Sequence, residues 1–237
     1  MQLEPIRTNE GTAGGSIVLG RQISSEAQKV LRNTYLLLAL TMVPTIGGAV
    51  LGMATGGIIL QHPIIASLVM LAAVVGLQFA IVANRNSPLG IVLLLLMTAI
   101  LGWWIGPMLN FALALKNGAQ LVGYAAAGTG IVLFAMATIA TTTKRDFSFL
   151  GKFLFVGMIA LIIAMFANMF LQIPALGLAL STIAIVIFSL FLLHDLSRIV
   201  TGGETNYIVA TTGVYISLLN IFVNLLNLLM ALTGERD

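Results

Sequence analysis

The sequence predicts an all-α polytopic membrane protein with about seven transmembrane helices, and three observations lead there. Hydrophobic residues make up 59% of the 237 and charged residues only 8%, so water is not the main solvent of this chain. Apolar runs of bilayer-spanning length recur from about residue 35 onward, separated by short polar breaks. Basic residues gather in alternate breaks, as expected of a chain threaded back and forth across a bilayer.

The runs place spans near 35–57, 64–83, 89–115, 121–141, 153–171, 175–193 and 207–232. Residues 1–32 read as a flexible cytoplasmic N-terminal tail. Residues 33–237 read as one seven-helix transmembrane domain that leaves no length for a second globular unit. The tail is not a secretory signal, because Glu4, Glu10 and Glu26 interrupt it and it has no continuous apolar core. Gly11, Gly14, Gly15 and Gly20 mark its first part as flexible. Ser25 to Gln28 reads as a capping box, starting a helix that runs through Lys29 and Arg32 into the first span.

Charge fixes an expected orientation. Arg7, Arg21, Lys29 and Arg32 of the tail, Arg85, the group Lys144, Arg145 and Lys152, and Arg198 all fall on one side. Only Lys116 and Arg236 fall on the other, so the N terminus is expected in the cytoplasm and the C terminus outside. The segment from His194 to Thr205 is polar and Gly202-Gly203 breaks helices, so a re-entrant turn there would reduce the spans to six. Seven remains the preferred count.

The net charge of +3 comes from too few charges to build the dense basic face that nucleic acid requires. With no cysteine, disulfides and thiol chemistry are excluded. No HExxH, GxSxG or phosphate-binding glycine loop occurs, and no cofactor or metal site is expected. His62 falls in an outer turn and His194 at a rim, leaving a buried serine without a base. The expectation is a protein that is not an enzyme.

Ionisable groups inside a membrane are costly, and Asp195 is the serious candidate. It stands beside His194 with Arg198 three residues on, and the plainest reading is an i,i+3 ion pair with Arg198 at the end of the sixth span. Glu204 reads as a solvated turn residue. In the last span Ser217, Asn220, Asn224 and Asn227 share one helical face, which must turn toward other helices. Their amides are expected to bond across to Asn110, Asn168 or Gln172, as polar glue in preference to a conduit. Gly48, Gly52 and Gly56, like Gly102 and Gly106, repeat every four residues and predict close helix packing. Pro44 and Pro107 fall inside spans, where they kink helices, and Trp103 and Trp104 fall mid-span, facing the bundle.

Six segments carry a resemblance: VLRNTYLLLALT at 30–41, LGWWIGPMLN at 101–110, TKRDFSFLG at 143–151, ANMFLQIPAL at 167–176, GGETNY at 202–207 and VYISLLNIFVNLL at 214–226. In that order and spacing the chain resembles the Bax inhibitor/YccA-like membrane proteins, and within them the bacterial branch that modulates the FtsH protease. The resemblance implies six helices wrapped around a central seventh, in keeping with the polar face of the last span. It also implies a bacterial inner-membrane location, with FtsH and its membrane scaffold complex as partners alongside membrane lipids. Family members that leak calcium have a second acid in the last span, forming a proton-sensitive pair with the first. Asp195 matches the first position and Ser217 the second, so the pair is broken and a pH-gated cation leak is the weaker alternative.

Overall fold

A computed structural model describes residues 23–143 and 145–233. The expected flexibility of the tail ahead of Ile23, and the side on which Arg236 lies, concern residues outside those described. Among the described residues eight helices follow one another: α1 (Ser25–Thr55), α2 (Gly57–Gln61), α3 (Pro63–Ala83), α4 (Pro88–Leu113), α5 (Gly118–Thr143), α6 (Leu150–Leu171), α7 (Pro174–Thr201) and α8 (Tyr207–Thr233). All except the short α2 are long and apolar enough to cross a membrane, which makes seven spans and an all-α membrane protein.

Local sequence sets the helix ends. Pro63, Pro88 and Pro174 open α3, α4 and α7, where the missing N–H goes unneeded. The cap of α1 is Ser24, not Ser25: its Oγ accepts from Ala27 N at 3.1 Å. No Glu or Gln stands three residues after Ser24, so the reciprocal half of the expected box is missing, and Gln28 bonds to the carbonyl of Ile23 instead. Helix α7 runs two turns past the end expected for its span. Leu196, Ile199 and Val200 continue its apolar face into the core and carry the polar residues between them along. Gly202 then closes the helix at φ +82°, and the N–H groups of Gly203 and Glu204 donate to the carbonyl of Arg198. What the sequence offers as a re-entrant turn is a helix stop, and α8 starts afresh beyond it.

Helices α1 and α4 form the tightest pair. A Cβ on Gly48 would collide with the carbonyl of Ala99, one on Gly52 with that of Trp103, one on Gly102 with that of Thr45, and one on Gly106 with the backbone of Gly52. The two glycine series interlock and let main chain touch main chain, which is the packing role their spacing predicted. Pro44 and Pro107 lie inside these two helices.

Helix α8 occupies the middle. No residue from Tyr207 to Met230 is exposed, and α7, α5, α1, α4 and α3 all pack on it. Helix α6 rests mainly on α7. The buried hydroxyl of Tyr215 meets Thr45 Oγ1 at 2.8 Å, and Thr45 in turn donates to the carbonyl of Thr41. Exposed apolar side chains such as Val43, Phe79, Phe134 and Phe153 cover the outside, as suits a lipid solvent.

Two groups of contacts define the ends. Asn206 Nδ2 donates to the carbonyl of Arg85 at 2.8 Å, joining the α7–α8 and α3–α4 turns. At the opposite end Asn117 Nδ2 donates to the carbonyl of Thr233 at 2.6 Å. Lys29, Arg32, Arg85, Arg145, Lys152 and Arg198 belong to the first end, called the basic end below.

Candidate functional site

At the basic end a cleft of about 140 Å³ opens between α3, α7 and α8, lined by Gln78, Asp195, Arg198, Glu204, Thr212 and Gly213. It is large enough for a few water molecules. Asp195 enters it from within α7, because that helix continues past the expected stop. One carboxylate oxygen, Oδ1, lies 3.2 Å from His194 Nδ1. The other faces Gly213 of α8, where a Cβ would stand 2.5 Å from it.

Arg198 does not pair with Asp195 in the expected i,i+3 manner. The α7–α8 turn folds back over the helix end and presents Glu204, whose Oε2 is 3.4 Å from Arg198 Nη2. Arg198 also donates to the carbonyl of Gly203 at 3.3 Å. Glu204 is therefore largely buried instead of solvated, and its other oxygen accepts from Asn206 N at 2.9 Å. Asn206 then caps α8, its Oδ1 accepting from Ile208 N and Val209 N. The chain Arg198–Glu204–Asn206 fixes the turn that forms the cleft's mouth.

The structure thus brings Asp195, Arg198 and Glu204 together and leaves the other candidates elsewhere. Ser217 is buried one turn further along α8 and does not line the cleft. The α8 residue that meets Asp195 is Gly213. Asn220 donates to the carbonyl of Ile216 and Asn224 to that of Asn220, both within their own helix. Only Asn227 reaches a neighbour among the described residues, donating to Ser181 Oγ of α7 at 2.9 Å. The expected partners are otherwise placed: Asn110 is exposed, Asn168 accepts from Ile173 N, and Gln172 ends α6 in the left-handed conformation. The polar face of α8 does turn inward, as expected. Its amides mostly satisfy the local backbone, which costs no interhelical alignment.

Among the described residues no three His, Cys, Asp or Glu side chains converge as a metal site would require. The cleft offers charge and hydrogen bonds, with no nucleophile held by a base.

Comparison with known proteins places this architecture. A family model described as "Inhibitor of apoptosis-promoting Bax1" matches residues 27–234, every one of the seven spans. The chain belongs to the Bax inhibitor family. Within that family it is 42% identical over 201 residues to the protein named Modulator of FtsH protease YccA in Escherichia coli strain K12, covering 85% of this chain and 89% of the relative. An uncharacterized membrane protein of Vibrio cholerae is 42% identical over 204 residues, 86% of this chain and 90% of that one. An uncharacterized protein of Campylobacter jejuni is 31% identical over 214 residues, 90% and 92% of the two chains.

Sequence reasoning missed several residues of this end of the family fold. Gly213 carries no chemistry of its own and becomes visible only when Asp195 is seen against it. Gln78 and Thr212 were unremarkable polar residues near span ends. Ser197, fully buried, donates to the carbonyl of Arg145 at 2.7 Å and accepts from Phe147 N at 3.2 Å. A serine inside an otherwise apolar helical face was the available signal for it.

Proposed function

We propose that this protein modulates an FtsH-type membrane protease, as an inhibitor or a slowly processed competing substrate, from a bacterial inner membrane. The observation that carries the reading is the 42% identity, extending over 89% of the relative's length, to the Escherichia coli protein named for that role. Reading the basic end as cytoplasmic, by its excess of Arg and Lys, puts the N-terminal segment on the side where such an enzyme would seize a tail. The C terminus then faces the periplasm.

Such an enzyme extracts a membrane protein by pulling, and two features of this bundle resist the pull. The interlocked α1–α4 backbones must separate, and the enclosed α8 must part from five neighbours at once. Slow extraction would occupy the protease and spare its other substrates. The scaffold complex around the protease and the surrounding lipids complete the proposed setting. Neither catalysis nor a bound cofactor enters this reading.

Deletion of residues 2–20 tests it, with degradation of a second membrane substrate followed in cells. Faster loss of that substrate is expected. Equal protection by the truncated protein would sink the tail mechanism.

The cation leak is less supported, since Ser217 stands where the resemblance puts the second acid, and Asp195 itself meets Gly213. Calcium flux through liposomes, abolished by Asp195→Asn, would restore it.

A further inference from the structure

Helices α5 and α6 both pack on α7 and hardly on each other, although only a short connection joins them. That connection is pinned to α7 twice. Ser197 Oγ donates to the carbonyl of Arg145 at 2.7 Å and accepts from Phe147 N at 3.2 Å. Gly151, in the first turn of α6, packs on His194, where a Cβ would stand 2.8 Å from the ring. His194 and Ser197 are three residues apart on one helix, so the two pins lie roughly 5–6 Å apart, within a single turn. Arg145 and Lys152, each at or beside a pin, are thereby held on one short arc at the basic end.

Both side chains are exposed, and among the described residues neither has an ion-pair partner. Lys152 is the sole charge from Leu150 to Leu171, and Gly118 to Thr143 has none. Asp146 is the opposing charge within the connection, and its carboxylate is turned to the local backbone, accepting from Ser148 N at 2.8 Å. Next to the two basic residues the surface becomes apolar at once. Phe149, Phe153 and Val156, at spacings of four and three, share one face of the start of α6 and are 73%, 74% and 65% exposed. Helix α6 rests mainly on α7, which leaves this outward face to the bilayer.

We propose that the α5–α6 connection and the first two turns of α6 form a docking site for an anionic phospholipid of the surrounding membrane. Arg145 and Lys152 take the phosphate, and the acyl chains lie along Phe153 and Val156. Arginine offers a planar fork of donors to phosphate oxygens, and a lysine one turn into a span lays its stem on apolar surface while its ammonium reaches the headgroups. The pinned backbone holds the two cations together before the lipid arrives, so little ordering is left to binding. Elsewhere at this end Lys29 has Glu26 one turn before it, and Arg32 and Arg85 stand singly on separate elements. The site depends neither on which way the chain is oriented nor on what the bundle modulates.

Native mass spectrometry of the full chain in detergent, titrated with phosphatidylglycerol or with phosphatidylcholine of the same acyl chains, tests the assignment. Lys144, Arg145 and Lys152 favour an anion and Asp146 opposes it, so at about fivefold per charge the first phosphatidylglycerol should bind about 25-fold more tightly. Arg145→Gln with Lys152→Gln should bring the two lipids to parity, and Asp146→Asn should raise the preference about fivefold. Arg32→Gln with Arg85→Gln removes equal charge from other elements of the same end and should alter the preference less than about twofold, since salt screens distant exposed charges. Soluble glycerol phosphate should not displace the lipid. All the substituted side chains are exposed and the main-chain bonds to Ser197 stay in place, so these variants keep the fold. Equal binding of both lipids by the wild type, as large a loss in the Arg32 and Arg85 variant, or displacement by glycerol phosphate overturns the proposal.

Discussion

Asp195 and Gly213 fit one another so closely that a Cβ on the glycine would stand 2.5 Å from Oδ2 and 3.1 Å from Cγ. The carboxylate cannot yield without leaving His194, which holds its other oxygen. Gly213→Ala should therefore cost about 1–3 kcal/mol, the usual range for overpacking. Thermal unfolding in detergent measures it. Adding Asp195→Ala should return most of that stability, because the alanine then fills the vacated space. Independent, additive losses would contradict the contact.

The α1–α4 interface makes a contrast between adjacent glycines. Gly48→Ala and Gly52→Ala press on main-chain carbonyls that cannot turn aside, and each should lose about 3 kcal/mol or more. Gly47 has nothing within 4 Å of its missing Cβ. Gly47→Ala should be neutral or raise the unfolding temperature slightly, as alanine suits a helix better.

Removing one hydroxyl from the centre of the bundle should have a modest effect. Tyr215→Phe deletes the bond to Thr45 and is expected to cost about 0.5–2 kcal/mol, as interhelical hydrogen bonds in membranes do. Thr45→Val removes the same bond from the other side. A double-mutant cycle should show the two losses overlapping, and full additivity would mean the bond contributes nothing.

Asp146 gives a pH dependence whose direction follows from its environment. Ser148 lowers its folded-state value beneath the ordinary 3.8, so the carboxylate's stabilising bonds are fully present above that value. They are lost as pH falls through the lowered one. Amide exchange at Ser148, corrected for intrinsic rate, should speed up in wild type only below about pH 4. In Asp146→Asn the acid-dependent step should be missing.

The helices were legible because lipid imposes one simple demand, long apolar runs with satisfied backbones, and that demand is written in composition. Their polar ends were less so. The run from His194 to Thr205 reads as a break, yet Leu196, Ile199 and Val200 carry α7 through it, since three buried apolar residues outweigh the polar ones between them. That misreading hid the surroundings of Asp195: its partner on α8 and the engagement of Arg198 by Glu204 both depend on where α7 stops. The inward turn of the asparagine face could be read from spacing. Which groups the amides would bond could not, because the choice between a nearby carbonyl and a distant side chain is settled by tertiary distance.

The enclosed position of α8 bears on how the molecule is made. It follows the other described helices in the sequence, yet five of them close around it. Until a ribosome has released residues 207–233, Thr34, Thr45 and Ser181 would line a vacancy in the half-built bundle, open to water or to lipid tails. The earlier helices must therefore wait, loosely associated, for a centrepiece that is made after them, and the bond from Asn117 to Thr233 can form only once residue 233 has left the ribosome. A stop codon just ahead of Tyr207 would remove the axle of the bundle together with a span.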